Sequence, residues 1–68
     1  MKNNLEKLRS GCNLTQEQLA NKLKVTRQTI NSIEKGKYNP SIILAFKISK
    51  FFNTTIENVF IFQEDSYE

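Results

Sequence analysis

The sequence predicts an all-α fold of five short helices, and three observations carry that prediction. Apolar residues between Thr15 and Glu34 recur at helical spacing with one break: Leu19, Ala20 and Leu23, then Val25, Ile30 and Ile33. Each half of this stretch therefore has an apolar face and a polar face. Hydroxyl and amide side chains stand where helices would begin, and glycine or asparagine where they would end. Finally, residues 42–52 are apolar nearly all round, which suits a helix lying centrally in a small domain or against a second chain.

Each element can be justified in order. In LEKLRSGCNL, Leu5, Leu8 and Arg9 form one stripe, and the helix should stop near Gly11 before Leu14 enters the core. Thr15 with Gln18 three residues on makes a capping box, opening a second helix that runs to Leu23. Ala20 is the small residue at which a neighbouring helix can come close. Thr26 is the N-cap of a third helix from Arg27 to Lys35, and Gly36 suits the left-handed residue beyond its end. A short break separates these two helices, a helix-turn-helix arrangement. Pro40 and Ser41 open a fourth helix containing Ile42, Ile43, Leu44, Ala45, Phe46, Ile48, Phe51 and Phe52, with Asn53 as its left-handed stop. Thr55, followed by Asn58, caps a short fifth helix through about Phe60.

Composition narrows the function classes. The chain has 68 residues, which predicts one domain (1–68, with the helix-turn-helix at 15–35) near the lower limit for an unaided core. One cysteine, Cys12, excludes an intrachain disulfide; it is expected to be a partly buried apolar filler, with a redox role remote. There is no histidine, no metal-ligand cluster and no glycine-rich phosphate loop, so neither catalysis nor a metal or cofactor is expected. No apolar run approaches a membrane span of about 18 residues, and MKNNLEKL lacks the apolar core of a signal peptide, so a cytoplasmic protein is expected. Net charge is +3, but the tail QEDSYE carries Glu64, Asp65 and Glu68, leaving residues 1–62 at +6. Lys22, Lys24, Arg27, Lys35 and Lys37 cluster around the two motif helices, as a phosphate-neutralising surface requires.

The outward residues of the third helix are Arg27, Gln28, Thr29, Asn31, Ser32 and Lys35, hydrogen-bonding groups rather than a Glu/Lys solubilising face. The segment TRQTINSIEKGKYNPS resembles the Cro/C1-type (xenobiotic-response-element family) helix-turn-helix repressors, a resemblance covering roughly Leu5 to Phe60. The short chain, the KYNPS loop and the apolar C-terminal end are most similar to the compact cytolysin-repressor-type dimers. The resemblance implies a five-helix lambda-repressor-like fold that binds double-stranded DNA as a symmetric homodimer. On that basis the third helix enters the major groove with its N-terminal residues at the base edges, while the second crosses the backbone. Gln28 is the leading base reader, because its amide can pair bidentately with adenine, and Thr29, Asn31 and Ser32 are its neighbours. Gln16, Arg27, Lys35, Lys37, Tyr38 and Asn39 are candidate phosphate contacts.

Arg9 lies four residues after Leu5 and Glu34 four after Ile30, each on an inward stripe, so the two are expected to pair; the resemblance likewise implies an ion pair joining the first helix to the third. The apolar run Val59, Phe60, Ile61 and Phe62 is hard to hide in so small a chain, and the C-terminal end, about 56–63, is expected to form the dimer interface. In the compact subgroup a strand near the N-terminus pairs with one after the last helix, which here would set Met1 to Asn4 beside Ile61 to Gln63. The sequence departs from the family at Lys24, where glycine is usual. The second function class is an antitoxin-like protein-interaction module that neutralises a partner and binds DNA secondarily.

Overall fold

The computed structural model describes residues 1–62. A strand β1 (Lys2–Asn3) precedes five helices, α1 (Leu5–Gly11), α2 (Gln16–Leu23), α3 (Arg27–Glu34), α4 (Ile42–Phe51) and α5 (Ile56–Val59), and a strand β2 (Phe60–Ile61) follows. The two strands pair antiparallel, Lys2 opposite Ile61 and Asn3 opposite Phe60. Five helices with a small terminal sheet match the fold expected from the sequence. Met1 and Asn4 flank the ladder rather than join it, and Gln63 and the acidic tail lie outside the described residues.

Hydroxyl caps set four of the five helix starts. Thr15, Thr26, Ser41 and Thr55 each accept an N–H three residues on, from Gln18, Thr29, Leu44 and Asn58, satisfying a donor that has no intrahelical partner. At Thr15 the box is reciprocal, since Gln18 Oε1 accepts the Thr15 N–H at 2.9 Å. Left-handed residues end three helices: Lys24 (φ 61°), Gly36 (φ 74°) and Asn53 (φ 55°). The first helix stops at Gly11, as expected, and the left-handed residue of the turn beyond it is Asn13, φ 58°. Asparagine tolerates that conformation by bonding locally, so the turn does not need the glycine.

The core is made where the apolar faces meet. Leu5, Leu19, Ala20, Leu23, Ile30, Ile33, Leu44, Ile48 and Val59 are buried together, ringed by Leu8, Leu14, Val25, Phe52 and Phe60. Ala20, almost fully buried, lies in the packed pair α2 and α3 where a larger side chain would hold the axes apart. The inner face of α4 supplies Leu44, Ala45, Ile48 and Ser49, whose hydroxyl donates to the Phe46 carbonyl at 2.9 Å. Its outer face is left uncovered in the single chain: Ile42 and Ile43 are 70% and 68% exposed, and Phe46 50%. Cys12 is exposed, not the buried filler expected, because it falls at the C-cap beyond the inward stripe of α1.

Candidate nucleic-acid interface

The third helix is held from behind, and the residues that hold it differ from those it presents. Arg9 Nε donates to Glu34 Oε2 at 2.6 Å and Nη2 to Oε1 at 3.2 Å, while Nη1 reaches the Leu14 carbonyl at 2.8 Å. The two side chains are 14% and 5% exposed, so the expected ion pair between α1 and α3 forms and is largely removed from water. Hydrogen bonding to Glu34 raises the pKa of the Arg9 guanidinium, outweighing the opposite pull of burial.

Gln16 belongs to the same network. Its Nε2 donates to Glu34 Oε1 at 2.9 Å and to Asn31 Oδ1 at 3.2 Å. Both amide hydrogens of Gln16 are thus turned towards α3, and the side chain keeps only an acceptor, which repels a phosphate oxygen. What remains for an anion at this end of α2 is the backbone: the N–H groups of Gln16 and Glu17 precede Leu19, the first to bond within the helix. Asn31, with its oxygen occupied by Gln16, retains its amide donors.

The presented surface lies at the N-terminal half of α3. Thr26, Gln28, Thr29, Ser32 and Tyr38 line one shallow depression. Gln28 is exposed; Thr29 and Ser32 are half-buried. Thr29 is further restrained by a 2.9 Å contact between its hydroxyl and that of its own cap, Thr26. Tyr38, expected among backbone contacts, is brought beside these polar side chains, and Thr26 joins them although the sequence marks it only as a cap. Arg27, Lys35 and Lys37 are exposed.

Other expected residues separate from this group. Asn39 lines an apolar hollow with Pro40, Ala45, Ile56, Phe60 and Phe62. Lys35 borders a cleft with Met1, Lys2, Asn3, Gly36 and Ile61. Of the apolar end, Val59 is fully buried in the chain's own core and offers no surface, because its carbonyl side pairs with Asn4 and its side chain closes the core. Phe60 is half-buried, and Ile61 and Phe62 are 39% and 61% exposed.

Two asparagines join the apolar end to the third helix, and nothing in their spacing announces it. Asn3 Nδ2 donates to the Ile33 carbonyl at 2.8 Å, near the C-terminus of α3, and its Oδ1 accepts the Leu5 N–H at 3.0 Å. Asn4 N and Nδ2 donate to the carbonyls of Val59 and Asn58 at 2.8 and 2.9 Å. The Met1 ammonium reaches the Gly36 carbonyl at 3.3 Å, a cation where the negative end of α3 lies.

A buried arginine clamp, a small residue between two crossed helices and a polar helix face left outward define a helix-turn-helix domain. The helix-turn-helix family matches residues 5–59, and the chain belongs to the Cro/C1-type helix-turn-helix family of DNA-binding transcriptional regulators. It is 62% identical over 65 residues to an HTH-type transcriptional regulator of Methanocaldococcus jannaschii, covering 96% of this chain and 98% of that protein. With the HTH-type transcriptional regulator YgzD of Bacillus subtilis it shares 46% over 66 residues, covering 97% and 100%. It also shares 49% over 55 residues with the HTH-type transcriptional activator BcrR of Enterococcus faecalis, covering 81% of this chain but 27% of that one.

Proposed function

We propose that this protein is a cytoplasmic transcriptional repressor that binds an inverted-repeat operator as a homodimer. The observation that carries the reading is the division of α3: Ile30, Ile33 and Glu34 are committed to the interior, while Gln28, Thr29 and Ser32 stand together on an open polar face. In the proposed complex α3 occupies the major groove, and Gln28 reads a base edge, with Thr29, Asn31 and Ser32 beside it. Arg27, Lys35, Lys37, Tyr38 and Asn39 contact the sugar–phosphate backbone, and Gln16 does so through its main-chain N–H rather than its side chain. The dimer uses Phe60, Ile61 and Phe62, with Val59 as the buried support behind them, and places two copies of α3 one helical turn apart, about 34 Å. Repression is the simplest outcome for a dimer seated on an operator, since occupying the site occludes the polymerase.

The test is selection from random duplexes, with affinity measured at several salt concentrations and mass in solution measured on the same sample. A regulator selects a palindrome and its affinity falls steeply with salt. No enriched sequence together with a flat salt dependence would sink the proposal. A second reading, an antitoxin-like module that binds a partner protein first and DNA secondarily, is favoured by the outer face of α4, where Ile42, Ile43 and Phe46 are exposed beyond what the C-terminal end offers. Ile43→Lys separates the two: unchanged operator selection and mass leave that face to a partner, and loss of the dimer assigns it to the homodimer.

A further inference from the structure

The basic residues do not all surround the third helix. Lys22 and Lys24 at the end of α2 and Lys47 and Lys50 on α4 line one open groove, whose remaining walls are Leu23 and Phe51. Four of the chain's ten basic residues therefore meet here. None of the four lies in an ion pair among the described residues, where the single salt bridge is Arg9–Glu34, and no acidic side chain lines the groove. Like charges brought together without counter-charge repel, and an anionic occupant relieves them.

The groove shares no residue with the depression formed by Thr26, Gln28, Thr29, Ser32 and Tyr38. It also lies along the later turns of α4, roughly 12 Å of helix rise beyond Ile42 and so away from the loop after α3. Its floor decides what kind of anion fits. Leu23 is almost wholly buried, and Phe51 is 38% exposed, its ring held edge-on by Phe52 at 4.9 Å between centroids. A duplex backbone carries no aliphatic or aromatic side group to set against that floor. A peptide that alternates carboxylates with aliphatic or aromatic side chains matches both features, placing its charges on the lysines and its apolar groups on Phe51.

We infer that the groove between α2 and α4 is a docking surface for an acidic, apolar-bearing segment of a partner protein, separate from the DNA-reading face. The inference rests on the fold and not on the operator reading, so its peptide measurements stand even if no duplex is selected. The probe is a short fluorescent peptide alternating glutamate with leucine, compared with versions carrying glutamine for glutamate or serine for leucine, and titrated by anisotropy against the full chain. Binding is expected for the first peptide and at least a tenfold loss for each of the others. Lys47→Glu with Lys50→Glu should weaken that binding tenfold or more while leaving duplex affinity within twofold. The milder pair Lys47→Gln with Lys50→Gln serves if the charge reversal unfolds the chain, with far-ultraviolet circular dichroism as the check.

Equal binding of the serine peptide would overturn the inference, because the apolar floor would then contribute nothing. So would variants that leave the peptide unaffected. If the same variants cut duplex affinity as strongly as Lys37→Ala does, the groove is a phosphate surface and the inference also fails.

Discussion

Arg9 meets Glu34 through two nitrogens, at 2.6 and 3.2 Å, and with its third reaches the carbonyl of Leu14. One side chain thereby fixes α1, the loop before α2 and the last turn of α3 relative to each other. Because Glu34 is 5% exposed, removing its partner leaves a carboxylate with little water to replace it. Arg9→Ala should lower stability by about 3–5 kcal/mol, a fall of roughly 12 °C or more in melting temperature. Thermal unfolding followed by circular dichroism checks this. Unchanged stability with lost DNA binding would instead make Arg9 a phosphate contact. The pair's contribution should also be flat with pH from the arginine side: a raised pKa keeps the stabilisation in full below the ordinary arginine range, and it is lost only in strong alkali.

Lys24 sits at φ 61° and ψ 44° in the turn between α2 and α3, a conformation a side chain makes costly and a glycine does not. Lys24→Gly should raise the unfolding free energy by about 0.5–1 kcal/mol, the relieved strain being partly offset by the freer unfolded chain. Urea denaturation measures it; a clear loss of stability would mean that the lysine stem packs usefully on Phe51 in the groove they share.

Gln28→Ala and Lys37→Ala should fail differently. The first removes a base contact, costing about 1–3 kcal/mol at one operator position and relaxing the preference there. The second should weaken all duplexes about equally and reduce the salt slope by about one. Competition binding against single-position operator variants distinguishes them, and identical profiles would show that Gln28 reads no base.

Val59 and Ile61 should separate packing from assembly. Val59 has no exposed surface, so Val59→Ala should cost about 2 kcal/mol through a cavity while leaving the mass in solution unchanged. Ile61→Asp should shift a concentration series from dimer towards monomer, as sedimentation would show. A monomer at every concentration for the unaltered chain would exclude the dimer interface at this end.

The arrangement of α2 and α3 was legible because it depends on local rules. Thr15, Thr26, Ser41 and Thr55 announce helix starts within three residues of themselves, and Arg9 and Glu34 reveal their pairing by standing on stripes otherwise filled by leucine and isoleucine. What was not legible depends on atoms distant in sequence. Gln16 reads as a phosphate ligand until its amide is seen to face Glu34 and Asn31, a choice set by the crossing of two helices. Asn3 reads as a polar residue near a terminus, and no periodicity links it to the Ile33 carbonyl. Cys12, expected to be partly buried, is exposed because it stands at the C-cap of α1, past the stripe that faces the core.

The bonds of Asn4 to Asn58 and Val59, and the register of Lys2 with Ile61, also set the loop-closure cost of the fold. Helices α1 to α3 find their partners nearby in sequence, whereas the ladder of β1 needs Phe60 and Ile61, far along the chain. Contacts of such long sequence separation carry the largest closure entropy. The short ladder of β1 and β2 is therefore the part of the fold that most needs the side-chain bonds of Asn3 and Asn4 to hold it.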